Sequence, residues 1–406
     1  MGAWRSLLAL IAALMAVVPA KAHPVPAADV RAAIVEITDA MATRLMDEQG
    51  RARGDYHWAT GEWREYEVAW HTGQMIEALL AAHEVTGDAR YLARARAAGD
   101  WWIGLELKDG PFKGMVDAAH GDRLGSLINF TTVGNGTPGL FWLSRVTGDP
   151  RYADVATRAI KWLARNTQVP GHPGLYYNIL DPATGRIWTD RSPHHDTEKA
   201  SVEQVARPNI EGSPFLDACE HSGEAWLCEA HFDLARRTAA RQSPNGFWME
   251  FEPNDPGKGT VHPRFNTWNA EAMLRAYRAT GDRVLLDAAL ATARANGALM
   301  EADGRFDYEQ NASGARGRNA PTGSATAFAG LLWIDLHRMG HTQFAPQIHA
   351  AARWLIANRF PADHPDPNLR GLVKELRVKN GAVIQRDLGN PFAVRFLAAY
   401  LKAFPQ

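Results

Sequence analysis

Residues 72–102 read TGQMIEALLAAHEVTGDARYLARARAAGDWW, and the grammar of this stretch decides the fold. Met75, Leu79, Leu80 and Val85 recur on one helical face, and Leu92, Ala95 and Trp102 do the same after a break. The break, Thr86-Gly87-Asp88, is a helix stop and restart. Glycine accepts the left-handed backbone that ends one helix, and aspartate caps the next. Two antiparallel helices joined by a three-residue corner are predicted.

The corner returns as Thr147-Gly148-Asp149 and Thr280-Gly281-Asp282, and in degraded form as Met339-Gly340-His341. Six and seven positions before it every copy is apolar: Leu79-Leu80, Leu140-Phe141, Met273-Leu274 and Leu332-Trp333. Fifteen positions after it stand Trp101, Trp162, Ala295 and Trp354. In Asp149-Pro150 the cap is followed by the residue best suited to a first helical turn. The spacing leaves room for one diverged copy, expected as a disguised pair around residues 196–241.

A tandem helical hairpin must bury its face against its neighbours, so the repeat predicts an open solenoid or a closed ring. The count favours closure, because an opening helix near 27–47 can pair with a last helix over 390–404. At this point the sequence resembles the six-hairpin (α/α)6 toroid enzymes: unsaturated glucuronyl hydrolases and other glycosidases, toroid polysaccharide lyases, and the helical domain of glucuronyl epimerases. The expected fold class is all-α, an (α/α)6 toroid with short β-hairpins in its loop inserts. The resemblance spans most of residues 27–404 and implies carbohydrate metabolism without choosing the reaction.

Residues 1–22 combine Arg5, an apolar run from Leu7 to Val18 and the small-x-small ending Ala20-Lys21-Ala22, the pattern of a removable signal peptide. The run is too short for a stable membrane span. The expectation is an exported protein, secreted or periplasmic, with residues 23–406 as one catalytic domain. Cleavage leaves 42 basic against 45 acidic residues, a balance that points to neither nucleic acid nor membrane. A mature start at His23 would suit the copper-chelating polysaccharide oxygenases, but those are small β-sandwiches, and a flexible start before the first helix is the simpler expectation.

Cys219 and Cys228 are the only cysteines, and in an exported protein a disulfide between them is expected. Ser222-Gly223 can start a helix that would hold Cys228 away. The competing arrangement is a structural metal on His221, Glu224, Cys228 and His231, which share a helical stripe. Ligands from one helix are seldom sufficient, so no metal or other cofactor is expected.

Chemistry belongs in the inserts between hairpins, which a ring gathers at one mouth. They are residues 54–71, 108–135, 174–211 with a β-hairpin turning at Asp181-Pro182-Ala183-Thr184-Gly185, a stretch near 250, 305–319 and 366–389. Aromatic rings beside amides and arginines suit an oligo- or polysaccharide. The candidate substrate-binding residues are Trp63, Trp70, Asn135, Trp188, Trp268, Asn269, Tyr308, Arg316 and Arg318; more than half of all tryptophans are expected simply to fill the ring. The candidate catalytic residues are His195, Tyr177, Asn209, Glu211, His71 and Asn266, with His120 and His194 as further histidines. Asparagine, threonine and serine at inner-helix starts also serve as ordinary caps.

In a lyase, an amide or arginine neutralises a uronate carboxylate, a histidine or tyrosine removes the neighbouring carbon-bound proton, and a tyrosine protonates the leaving oxygen. A hydrolase needs two carboxyl groups, for which Glu62, Asp117, Asp190, Glu211 and Glu250 are available, though none lies in a glucuronyl hydrolase motif. An epimerase would return the proton on the opposite face, and a non-catalytic glycan-binding ring would need no essential residue. The inserts carry many histidine, tyrosine, asparagine and arginine residues and no recognisable acid pair, so the favoured expectation is a polysaccharide lyase acting on a uronate-containing glycan.

Overall fold

The computed structural model describes residues 23–121, 124–190, 201–313, 320–379 and 381–405. The expected signal segment, His194, His195, Arg316 and Arg318 lie outside them. Among the described residues, twelve helices of nine or more residues pair into six hairpins. They are α1 (Ala27–Ala40), α2 (Val68–Thr86), α3 (Ala89–Ile103), α4 (Thr137–Thr147), α5 (Pro150–Asn166) and α6 (Pro214–Ser222), then α7 (Ala225–Ala240), α8 (Pro263–Thr280), α9 (Arg283–Leu299), α10 (Gly323–Arg338), α11 (Ala345–Ala357) and α12 (Gly389–Ala403).

Composition sorts the two layers. Even-numbered helices such as α2 and α12 are buried nearly all round, whereas odd-numbered ones such as α5 bury one stripe and show charge to solvent. The even helices therefore form the inner ring and the odd ones the outer. Helix α12 packs on both α10 and α2, and this closes the circle. Tryptophans rivet the layers, with Trp102 Nε1 donating to Ala69 O at 3.0 Å and Trp333 Nε1 to Ala293 O at 3.0 Å.

The corners behave as their chemistry requires. Gly87, Gly148 and Gly281 hold φ of 73°, 70° and 71°, and the following Asp88, Asp149 and Asp282 accept from backbone N–H groups of the next helix. Tyr91 and Tyr152 reach the preceding outer helix, at Asp39 and Asp100, over 2.9 and 3.0 Å. A Cβ at Gly281 would meet nothing within 4 Å, so only its backbone conformation resists substitution. Gly281→Ala should lower unfolding free energy by about 1 kcal/mol, measured as a shifted urea midpoint with unchanged slope.

The diverged hairpin lies at α6 and α7. Its corner is Ser222-Gly223-Glu224, in which Gly223 (φ 72°) ends α6 rather than starting a helix. Cys219 and Cys228 are joined in a disulfide across this corner. That bond corrects the metal alternative, since Cys228 has no free thiolate. Of the other proposed ligands, His221 lies 2.8 Å from Asp154, Glu224 pairs with Lys161, and His231 is fully buried. No metal-ligand cluster assembles among the described residues.

Short strands decorate one end. Strands β1 (Asp55–His57) and β2 (Glu62–Arg64) lie in the first insert. The expected hairpin at residues 181–185 joins β3 (Ile179–Asp181) to β4 (Arg186–Ile187). In the last insert β5 (Leu376–Lys379) pairs with β6 (Ala382–Gln385), and β6 pairs with β1, giving a four-stranded sheet in the order β5-β6-β1-β2. This sheet ties the first insert to the last, next to the starts of α2 and α12.

Candidate active site

Inner helices begin at the mouth, and the residues just ahead of α2 and α12 carry most of its charge. Glu67 precedes α2 in a left-handed conformation, φ 46°. Its N–H donates to His120 O at 2.6 Å, and its Oε1 lies 3.3 Å from His120 Nε2. One turn into α2, His71 Nδ1 lies 2.8 Å from Asp387 Oδ1, and both side chains are fully buried. Two histidine–carboxylate pairs are thus set side by side beneath the mouth.

Burial alone would push the Glu67 carboxyl up, but His120, His71 and Arg386 outweigh it and hold the group at about 2. Its folded value is below the ordinary one of 4.5, so the stabilisation is fully present above that pH and is lost as pH falls towards 2. About 3 kcal/mol is at stake. Wild-type protein should lose stability over this window, and Glu67→Gln should flatten the loss, as read by denaturant unfolding at stepped pH.

The sheet supplies the arginines. Because Tyr56 faces Gln385 across β1 and β6, the next residues meet, and Arg386 Nε donates to Asp55 Oδ1 at 3.1 Å. Arg386 is 1% exposed, its guanidinium lies 4.6 Å from the Tyr66 ring centroid, and its Nη1 donates to Tyr308 Oη at 3.1 Å. Its Nη2 is buried with no partner. Arg377, on β5, holds its guanidinium 5.3 Å from the centroid of the Tyr308 ring. Among the described residues it makes no side-chain ion pair or hydrogen bond.

On the opposite wall, Arg264 donates to Ser324 Oγ at 2.8 Å and approaches Glu375 at 3.5 Å, and it lies over the rings of Trp70 and Trp268 at 5.2 and 5.9 Å. Glu375 accepts from Ser324 N at 2.6 Å, tying the sheet to the start of α10. Burial, then Arg264, Arg386 and Arg377, push the His262 imidazole well down, so it stays neutral. Its Nδ1 accepts from Phe265 N at the start of α8. Burial and the Glu67 carboxylate push the Tyr66 phenol well up, against the pull of Arg386, so Tyr66 keeps its proton. The mouth therefore offers two phenols, two guanidinium groups with unsatisfied donors, and carboxylates already engaged by cations.

Of the candidates named from sequence, His71, Trp70, Trp268 and Tyr308 come together here: Trp70 lies 5.0 Å from His71 and 5.4 Å from Trp268, ring to ring. Tyr177, Asn209 and Glu211 share a neighbouring wall. Asn209 Nδ2 donates to Tyr176 O and Glu211 pairs with Arg207 at 2.9 Å, while Tyr177 pairs with Ala206 in a short ladder. Asn266 accepts from Trp248 N and bonds Asn254, which fixes the loop before α8. Asn269 is buried with an unpartnered Nδ2, and Asn135 receives Gln74 on its carbonyl. Trp63 packs on Tyr56 in the sheet, and Trp188 lies under Arg186 on the β3–β4 hairpin.

Tyr66, Glu67, Arg264, Arg377, Arg386 and Asp387 were not singled out from sequence. For four of them the signal is position, since Tyr66-Glu67 and Arg386-Asp387 stand within three residues of an inner-helix start, whereas Arg264 lies in the first turn of α8 and Arg377 on β5.

A family model described as the β-L-arabinofuranosidase GH127 catalytic domain matches residues 38–212, less than half of the chain. Cellobiose 2-epimerase from Bacillus thermoamylovorans B4167 superposes with a TM-score of 0.67 at 13% identity, over 91% of this chain and 99% of that one. The fold is that of the six-hairpin (α/α)6 toroid enzymes. A possible GH105 family member from Klebsiella pneumoniae gives this toroid a TM-score of 0.59 at 14% identity, over 93% and 94% of the two chains. The GH76A α-1,6-mannanase of Salegentibacter sp. HEL1_6 gives 0.56 at 12% identity, over 92% and 100%. At these identities the likeness is one of fold. A search of curated protein sequences gives no match.

Proposed function

We propose that this toroid is an exported carbohydrate-active enzyme, and that it cleaves a uronate-containing glycan by β-elimination. The observation that carries the reading is the pair of unsatisfied guanidinium groups, Arg377 and Arg386 Nη2, flanking the Tyr308 phenol in a mouth whose Glu67 carboxyl is held ionised. A planar guanidinium is matched to a carboxylate, and neutralising a uronate makes the proton on the adjacent carbon easier to remove. A hydrogen bond from a guanidinium to a phenol oxygen stabilises that oxygen as it takes on charge, so Tyr308 is assigned proton abstraction.

In the step proposed, Tyr308 acts as the phenolate, its own proton having first left to solvent, and the carbon-bound proton passes to Tyr308 Oη. The electron pair it leaves forms a carbon–carbon double bond, and the glycosidic carbon–oxygen bond on the next carbon breaks. The departing oxygen takes the proton of Tyr66. The products are an unsaturated uronate end and a new hydroxyl end. His71 with Asp387, and His120 with Glu67, position the base of the mouth, and Trp70 and Trp268 offer faces on which a sugar ring stacks.

A second reading, glycoside hydrolysis, is favoured by the match of residues 38–212 to a glycosidase domain. It would need a protonated carboxyl beside an ionised one. The experiment that separates them incubates purified protein with alginate, glucuronan, heparosan and pectic polymers, following ultraviolet absorbance of unsaturated ends alongside reducing sugar. Absorbance that grows in step with reducing ends is the expected result. Reducing ends without absorbance would mean hydrolysis, and neither signal would mean epimerisation or binding.

A further inference from the structure

The side chains that face the ring axis change character in the same order along four inner helices. Helix α8 presents Arg264, then Trp268, then Glu271 and Arg275, spaced at i, i+4, i+7 and i+11. At 1.5 Å per residue, Glu271 lies about 10 Å further from the mouth than Arg264. The rings of Trp70, Trp268, Phe328 and Phe392, from α2, α8, α10 and α12, meet at centroid distances of 5.1 to 5.4 Å and form a septum across the axis. Beyond it lies a second chamber of about 150 Å³, with Trp268 and Phe328 at its aromatic ceiling and Gln74, Glu77, Glu271, Arg275, Asp335 and Arg395 around its wall.

Nearly every charge on that wall already has its partner. Arg395 lies 2.8 Å from Glu77 and donates to Gln74 Oε1 at 2.7 Å. Arg275 lies 2.7 Å from Asp217, and Asp335 lies 3.3 Å from Arg278. Glu271 is the exception: among the described residues no ion pair or hydrogen bond holds its carboxyl. A carboxyl group with no direct ion-pair partner, its nearest guanidinium groups Arg275 and Arg395 already paired elsewhere, placed under two aromatic rings in a cavity, is an arrangement that a cation completes twice over, by charge and by the ring quadrupoles.

We propose that this second chamber binds a small protonated amine, of the size and chemistry of an amino sugar, with Glu271 as its counter-ion and Trp268 and Phe328 as its ceiling. The electrostatics fit. Burial, together with Asp335 and Asp217 across the chamber, pushes the Glu271 carboxyl up to about 7 against the pull of Arg275 and Arg395, with Glu77 facing it from α2. An arriving ammonium group reverses that push, so its binding expels the Glu271 proton.

The test is isothermal titration of the full chain with D-glucosamine, with D-glucose as the uncharged control, at a pH one unit below the Glu271 value. Glucosamine is expected to bind at least tenfold (about 1.4 kcal/mol) more tightly than glucose. Two buffers of different ionisation heat should reveal the released proton, and Glu271→Gln should abolish the preference. Glu271→Gln is expected to stay folded, with a melting temperature no lower than wild type, since an amide mimics the protonated acid. Equal binding of the two sugars, no proton release, or a preference that survives Glu271→Gln but vanishes in Arg377→Ala would overturn the proposal. None of these readouts uses turnover at the mouth, so they stand or fall apart from the lyase reading.

Discussion

Tyr308→Phe is expected to lower turnover on the preferred uronate polymer by about 10²- to 10⁴-fold, the range spanned by loss of a positioned acid or base. The phenol oxygen it removes is the only part of Tyr308 that Arg386 Nη1 contacts by hydrogen bond, at 3.1 Å. The ring remains to pack edge-on against His262, whose centroid is 4.9 Å away. Stability should therefore fall by only about 1 kcal/mol, the usual cost of one lost hydrogen bond. The companion variant Arg377→Ala removes a side chain that, among the described residues, makes no ion pair or hydrogen bond and only overlies the Tyr308 ring, and it should raise KM for uronate polymers while leaving the melting temperature nearly unchanged. Steady-state kinetics of both variants, beside thermal unfolding, check the pair. Wild-type turnover in Tyr308→Phe would remove the proton-abstraction assignment.

Gly73→Ala should be the most damaging small substitution in the ring. A Cβ there would sit 2.1 Å from Gly136 O, and the reciprocal Cβ at Gly139 would sit 2.3 Å from Gly73 O. Both obstacles are backbone, so neither can rotate away. Helices α2 and α4 would have to separate, at a cost of about 3 kcal/mol. The same shift would displace Trp70 and His71, which lie within one turn of Gly73, so activity should fall with stability. Urea unfolding gives the first quantity and turnover the second. A loss below about 0.5 kcal/mol, the range of an ordinary surface change, would show that the two helices have room that their contact denies.

The ring was legible in the sequence because its information is local. A glycine in the left-handed region, an aspartate that caps two residues on and an apolar pair at fixed distance each act within one hairpin, and they repeat. The sixth pairing, first helix with last, followed from counting. The diverged hairpin was harder to place because its corner, Ser222-Gly223-Glu224, has glutamate in place of the capping aspartate and its inner helix is only nine residues long.

The mouth was only half legible, for a physical reason. His71, Trp70, Trp268 and Tyr308 lie in or beside the expected inserts and helix starts. Arg377 and Arg386 reach them only through a sheet that pairs residues 55–57 with 384–385, and no local pattern encodes pairing across more than 300 positions. Asn209 and Asn266 show the converse, amides whose residue type suits chemistry while their hydrogen bonds serve loops.

The central claim is that chemistry at the mouth begins by breaking a carbon–hydrogen bond beside a carboxylate. Its most direct test is turnover of a uronate polymer carrying deuterium at that carbon, compared with the unlabelled polymer under the same conditions. Slower appearance of unsaturated ends from the labelled polymer, with the deuterium lost to solvent, is the result predicted. Equal rates with the deuterium retained in products that lack a double bond would contradict it.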